Sequence, residues 1–426
     1  MPRRDRTPME RNPMESTPTT SARPDSVAGI PMPALRNHAA AHQEQLLEDL
    51  RRIVHAETPS HDKALLDAGL EEVRTLAVER LGEPLAEART DGGVHGDVLD
   101  LRWPGRDIDG GEVTDLGASV LSVCHYDTVW PAGTITDWPL AADGDRLTGP
   151  GVLDMKFGIV QTLWAVRALR ELGVPHAPLR LLLTGDEEIG STAGRPAIEA
   201  AAAQSALTLV PEPSAAGQPK DRRKGMVFAD LTVHGVQAHA GLEPEKGASA
   251  VHALAAVVPD VVALASPDHG TTVTVGTFHG GTSRNVVAGQ ATCQVDVRVT
   301  EAAEQDRVAE GLRALRLPEP HAADPRLRLE IAVDANRPPM NPTRASRAAM
   351  ARVERLAAGL GRRITPAAVG GASDANFVSA LGLPVLDGLG AVGEGPHAVH
   401  EHILVSEIAP QTALLAGLLA DVAARP

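Results

Sequence analysis

Three apolar runs in this chain end abruptly on histidine or on acids. Residues 119–124 lead to His125 and, two positions on, Asp127. Residues 179–184 lead to Gly185-Asp186-Glu187-Glu188, and residues 207–210 lead to Pro211-Glu212-Pro213. A histidine at the end of a buried strand is placed to put its ring on a metal. A carboxylate behind it would fix the tautomer and raise the basicity. The same pair also fits an ordinary surface turn. Three consecutive carboxylates repel one another, and cations or raised pKa values must relieve them; a helix N-terminus would do so for one. The flanking prolines hold Glu212 out of a helix. Asp154 stands between Gly149-Pro150-Gly151 and a helical pattern, as an N-cap or as a ligand lining an open cleft. A late loop, residues 390–402, adds His397, His400 and His402. Imidazole with hard oxygen ligands suits zinc, and cobalt or manganese also fit. Calcium fits poorly, because histidine is a weak ligand for it. His125, Asp127, Asp154, Glu187, Glu188, Glu212 and His397 are enough for two ions sharing one carboxylate, an arrangement used in hydrolysis.

The elements that must position these residues follow from periodicity. Helical spacing begins near Asn37, with Leu46, Leu47, Leu50 and Ile53 on one face, and a second helix is predicted over 63–81. Strands are predicted at 98–103, 119–124, 179–184 and 207–210. A polar, charged linker at 218–224 precedes a different pattern: strand 226–234, helix 248–265, strands 271–278 and 286–299, helix 301–315, strand 327–333. That β-α-β-β-α-β order is ferredoxin-like. The first pattern resumes with a helix at 344–361, a strand at 383–386 and a last helix that Ser406 is expected to cap. The organisation expected is a tail over 1–36, one domain built from 37–222 and 337–426, and an insertion over 223–336.

The tail is rich in Pro, Arg, Thr and Ser and is expected to be disordered. No apolar stretch follows its arginines, which disfavours an export signal. The 426 residues carry Lys+Arg 40 against Asp+Glu 55, a net charge of -15. That balance argues against nucleic acid or an anionic membrane as partner. Two cysteines, Cys124 and Cys293, lie far apart inside apolar patterns, which fits buried thiols in a reducing, cytoplasmic setting.

These motifs, in this order, resemble the M20 metallopeptidases, a family of di-zinc carboxypeptidases, deacylases and desuccinylases. The resemblance rests on His125-Tyr126-Asp127-Thr128-Val129, Gly149-Pro150-Gly151 with Asp154-Met155-Lys156, Asp186-Glu187-Glu188-Ile189-Gly190-Ser191, Glu212-Pro213 and Gly395-Pro396-His397. It implies an α/β fold of zinc-exopeptidase type, with a mixed, mostly parallel sheet and an inserted α+β dimerisation domain. It implies two zinc ions per subunit, held by His125, Asp154, Glu188, Glu212 and His397, with Asp154 bridging. Asp127 would orient His125, and Glu187 would be the general base for a water shared by the ions. The Gly-Pro-His context favours His397 as the ligand, and the roles of His400 and His402 stay open. Glutamate at 212 sides with carboxypeptidases, deacetylases and desuccinylases.

Val233-His234-Gly235-Val236-Gln237-Ala238-His239-Ala240-Gly241 is similar to a stretch of the family's glutamate carboxypeptidases. The resemblance makes His239 an oxyanion donor reaching into a partner's site, and so implies a homodimer. Asn285, Arg298 and Arg337 would hold a substrate carboxylate. The implied activity is release of a C-terminal amino acid, with glutamate a candidate, from a small peptide or N-acyl amino acid. The alternatives are an N-acyl-amino-acid deacylase of the acetylornithine or succinyl-diaminopimelate kind, or a metal-containing binding protein without catalysis.

Overall fold

The computed structural model describes residues 29–423; most of the expected tail therefore lies outside the described residues. The first helix nevertheless starts ahead of Asn37. Helix α1 (Met32–Ala41) has a proline in its first turn, where no amide hydrogen is needed. Met32 and Leu35 are buried in the main core, which is why the helix extends into the expected tail. At His42 it gives way to α2 (Gln43–His55), and α3 (Lys63–Leu81) follows, N-capped by the side chain of Asp62.

The main sheet has eight strands. In chain order they are β1 (Ala86–Thr90), β2 (Gly96–Trp103), β3 (Val120–His125), β4 (Leu179–Gly185), β5 (Leu207–Val210), β6 (Lys220–Arg223), and, after the insertion, two late strands Ala367–Val369 and Val385–Asp387. Their spatial order is β1, β2, β4, β3, β5, Val385–Asp387, β6, Ala367–Val369. The central strands β4, β3, β5 and Val385–Asp387 run parallel. Every residue in these four strands is buried, as expected where helices cover both faces. Val120 and Cys124 of β3 face one core, and Leu121 and Val123 face the other. Helix α4 (Phe157–Glu171) lies in the larger core and α5 (Gly194–Ala202) contributes to the smaller. The last helix, Ile408–Ala423, adds Leu414, Leu415, Leu418 and Leu419 to the larger core. Each such leucine contributes roughly 1.5–3 kcal/mol of burial free energy. Ser406 does not cap this helix. Its hydroxyl and amide bind the carboxylate of Asp145, within a 3-10 turn that precedes the helix.

The segment expected to be a linker, 218–224, contains β6, whose Arg223 is buried. The chain then enters a second, antiparallel sheet: β7 (Gly225–His234), α6 (Ala250–Val262), β8 (Thr272–Gly280), β9 (Gln290–Val299), α7 (Ala302–Ala314) and β10 (Arg328–Arg337). The order β8, β9, β7, β10 is the ferredoxin-like one. This sheet has its own core of Val227, Leu231, Val233, Leu254, Val257, Val295, Val308 and Leu312, under α6 and α7. The strand expected over 286–299 is split. Val286–Val287 pairs with Ala238–His239, apart from the sheet, and only Gln290–Val299 joins it.

Candidate metal centre and active site

Parallel strands end side by side, so residues far apart in sequence meet at one edge. His125 pairs in register with Thr184, one residue before β4 ends. The turns after β3, β4 and β5 therefore open onto the same space, at the carboxyl ends of the strands where α/β sheets bind ligands. Asp154 comes from the loop before α4. Gly158 in that helix has no room for a side chain, since a Cβ there would lie 2.2 Å from the Pro211 carbonyl oxygen. That close approach seats the helix against the Pro211-Glu212 turn.

Two groups of three ligands result. His125, Asp154 and Glu212 converge in one, and Asp154, Glu188 and His397 in the other. His125 Nε2 lies 3.2 Å from Asp154 Oδ1 and 3.3 Å from Glu212 Oε1. His397 Nε2 lies 3.0 Å from Glu188 Oε2 and 3.5 Å from Asp154 Oδ2. Asp154 faces both groups, one oxygen to each. All five residues that the sequence marks as ligands are thus brought together.

The electrostatics call for added positive charge. Burial works against a charged ring at His125, but its hydrogen bonds to the carboxylates of Asp127, Asp154 and Glu212 outweigh it and push its pKa well up. Asp154 and Glu188 push His397 up to about 11. Burial, with Asp154 nearby, pushes Glu188 up to about 7, and its buried Oε1 has no hydrogen-bond partner. The carboxylates hold protons on the imidazoles because the cluster otherwise carries excess negative charge. Divalent cations would replace those protons, and the donor set of imidazole and carboxylate fits zinc.

Asp127 is buried and does two jobs. Its Oδ1 is 3.4 Å from His125 Nδ1, which also lies 3.1 Å from its main-chain oxygen. Its carboxylate accepts hydrogen bonds from Ser60 Oγ and from the amides of Glu187 and Glu188. Of the three consecutive acids, Asp186 is structural, since it accepts the Ala193 and Gly194 amides at the start of α5. Glu187 is buried, and burial pushes its pKa well up against the pull of Arg337.

Arg337, expected to help hold a substrate carboxylate, faces a cavity beside Glu187 and is itself paired with acids of the chain. Its guanidinium is 2.7 Å from Glu187 Oε1, 3.1 Å from Asp374 Oδ1, and also donates to Ser191 Oγ and the Glu187 carbonyl. A buried arginine at the end of β10 needs those acids, and they fix it. Arg298 differs. It lines the same cavity, of about 650 Å³, together with Arg337, Glu187, Glu188, Met226, Phe228 and His397. Asp296 holds its Nε and Nη2, which leaves Nη1 available. His239 and Asn285 do not line this cavity. They lie on exposed loops of the insertion that meet at the short ladder of 238–239 with 286–287, where the Ala240 amide donates to the Asn285 carbonyl. His402 is buried with Nδ1 2.9 Å from the His400 carbonyl, and neither residue belongs to either ligand group.

Two residues of the site escaped the sequence reading. Glu401 is fully buried and accepts from the amides of Gly151, Leu153 and Asp154 and from Trp130 Nε1. It holds the loop that carries the shared aspartate. The only signal was an acid between two histidines. Arg223 is buried against Asp387 and lies 3.5 Å from Glu212 Oε2, while Nη1 donates to the carbonyls of Gly371 and Ala372. Its charged neighbourhood in sequence reads as solvent-facing, which hid it.

A profile described as Peptidase family M20/M25/M40 matches residues 121–421. The chain belongs to this family. Among M20 relatives, it is 26% identical over 416 residues to carboxypeptidase G2 of Pseudomonas sp. (strain RS-16), covering 93% of this chain and 95% of that protein. It is 30% identical over 334 residues to succinyl-diaminopimelate desuccinylase of Gluconacetobacter diazotrophicus, covering 71% of this chain and 82% of that protein. In fold, it is similar to an M20 family metallo-carboxypeptidase from Sulfolobus solfataricus, with a TM-score of 0.70 and 15% identity over 90% of this chain and 99% of that one. The M20 membership establishes a hydrolase fold of metallopeptidase type and leaves the substrate to the shape of the site. Among the described residues, no helix is long and apolar enough to cross a membrane.

Proposed function

We propose that this M20 protein is a metal-dependent amidohydrolase that removes a C-terminal amino acid from a small peptide or N-acyl amino acid. The observation that carries this reading is the pair of three-ligand groups joined by Asp154, with buried Glu187 in the adjoining cavity. His125, Asp154 and Glu212 would hold one zinc ion, and Asp154, Glu188 and His397 the other. Bound ions would supply the charge that acidifies a water and polarises the scissile carbonyl.

The chain's own residues do the rest. Glu187 accepts the water's proton and returns it to the leaving nitrogen. Burial raises its pKa and the Arg337 pair opposes that rise, which suits a group that must both take and give a proton. Asp127 keeps His125 in the tautomer that presents Nε2. Arg298 offers Nη1 to the carboxylate of the departing amino acid, and a guanidinium grips carboxylate strongly. His239 and Asn285 lie outside the cavity of their own chain, and so are read as completing the site of a second copy. His239 would then donate to the oxyanion.

Glu187→Gln tests the reading. With zinc supplied, the wild type is expected to release the terminal amino acid from dipeptides or N-acyl amino acids. The variant should keep its zinc and lose activity by about 10²–10⁴-fold. Undiminished hydrolysis by the variant would remove Glu187 from the role of base. A wild type that binds zinc and cleaves nothing in the panel would sink the enzyme reading.

A further inference from the structure

Away from the catalytic centre, the described residues hold one more group of three metal-ligating side chains: His38, His42 and Glu171. His38 and His42 stand one helical turn apart, His38 in α1 and His42 at the joint where α1 gives way to α2. Glu171 is the last residue of α4. Each of the three offers one ligand atom, and these atoms lie within 4.8 Å of one another. Helix α4 starts just after Asp154 and ends on Glu171. Its length, about 22 Å at the helical rise, therefore separates this group from the catalytic ligands.

The donors are already oriented. His42 Nδ1 lies 2.9 Å from the His38 carbonyl oxygen, which can only accept, so Nδ1 carries the hydrogen. Nε2 of the neutral ring then keeps its lone pair. Ligating histidines are commonly set in this way, the second ring nitrogen donating to a main-chain carbonyl. His38 presents Nε2 to Glu171 Oε2 at 2.7 Å, while its buried Nδ1 meets no partner. The working nitrogen of His38 is therefore the one on the side of the carboxylate. The two imidazoles lie against each other with ring centroids 4.3 Å apart. Arg167 supplies the one neighbouring positive charge that touches the group. Its Nε donates to Glu171 Oε1 at 2.6 Å, and its guanidinium lies over the Trp164 ring, 4.5 Å from the centroid. The arginine thus fixes the carboxylate by one oxygen and leaves Oε2 to the histidines. An ion pair between α1 and α4 needs only His38 and Glu171. His42 adds a third donor that such a pair does not use.

We propose that His38, His42 and Glu171 form a further metal site, separate from the catalytic centre, which takes one zinc ion or a similar divalent transition-metal ion. Two imidazoles and a carboxylate fill three positions of a tetrahedral shell, and water fills the fourth. The same donors suit nickel and copper and suit calcium poorly. Glu171 is exposed, so an ion reaches the site from solvent. On binding, the hydrogen shared by His38 and Glu171 leaves to solvent, and the ion bridges them instead. It ties the joint between α1 and α2 to the far end of α4, and so fastens the start of the described chain to the helix that begins beside Asp154.

The test counts ions and does not depend on the hydrolase reading. The full chain is dialysed to equilibrium against buffered zinc, and bound zinc per folded chain is measured for wild type, His42→Ala and His38→Gln. Each variant is expected to hold one ion fewer than the wild type. Zinc should also raise the thermal midpoint of the wild type further than that of either variant, because an ion bound only by the folded chain stabilises it. Equal zinc content in all three proteins would overturn the proposal. So would equal midpoint shifts, which would place the extra ion on no ordered site. If His42→Ala fails to fold, His42→Gln takes its place in the count.

Discussion

Glu401 carries no ligand atom to either group, yet it fixes one that does. Three main-chain amides around Asp154 point at its carboxylate. In Glu401→Ala those buried donors lose their acceptor and the shared aspartate loses its frame. We expect zinc affinity to fall by about 10–100-fold, read by competition with a chelating indicator, and Glu401→Gln to lose less. The histidines give a second expectation. The surrounding carboxylates raise their pKa values, which favours the protonated rings when no cation is bound. Zinc needs neutral imidazole, so binding must release protons. Zinc affinity should therefore rise with pH across the neutral range, and titration in weakly buffered solution should acidify it. The ligands were legible in sequence because each sits at the end of an apolar run. Glu401 and Arg223 were not, because their partners are met only across the fold: main-chain amides such as that of Asp154 for Glu401, and the carboxylate of Asp387 for Arg223.

At the scale of elements, the central strands were legible because burial on both faces leaves continuous apolar runs. The helix at Met32 and the strand at Lys220–Arg223 were hidden for opposite reasons. A proline-bearing segment was rescued by burial of Met32 and Leu35, and a charged one by the pairing of Arg223. Asp97 in β2 ties two further elements together. Lys63 of α3 reaches it at 2.6 Å and Arg89 of β1 at 2.7 Å. Burial alone would raise its pKa, but Lys63, the Gly92 amide and Arg89 outweigh it and hold it at about 2, below the ordinary 3.8. The unfolded chain thus takes up this proton at a higher pH than the folded one. The stabilisation is complete above about pH 4 and is lost as pH falls toward 2. Denaturation midpoints of wild type and Asp97→Asn should differ at neutral pH and converge through that window.

For the whole molecule, the two sheets were legible as two patterns, and their division of labour follows from where the site residues lie. The main sheet carries the ligand groups. The insertion carries Arg298, which lines the cavity, and His239 and Asn285, which do not. If a second copy supplies His239, Glu187→Gln and His239→Ala chains should each be inactive alone. Mixed and allowed to exchange, they should recover activity, because a mixed pair contains one site with both an intact base and an intact histidine. No recovery, with exchange shown by mass, would mean that His239 acts within its own chain or not at all.

The two chain crossings into and out of the insertion each end on a guanidinium. Arg223, leaving, is held by Asp387 and lies close to Glu212; Arg337, returning, is pinned to Glu187 and Asp374. Both crossings are thus tied by ion pairs to the strands and turns that carry Glu212 and Glu187. A substrate held by Arg298 would therefore be joined, through the insertion's own strands, to the contacts that set the charge of Glu187.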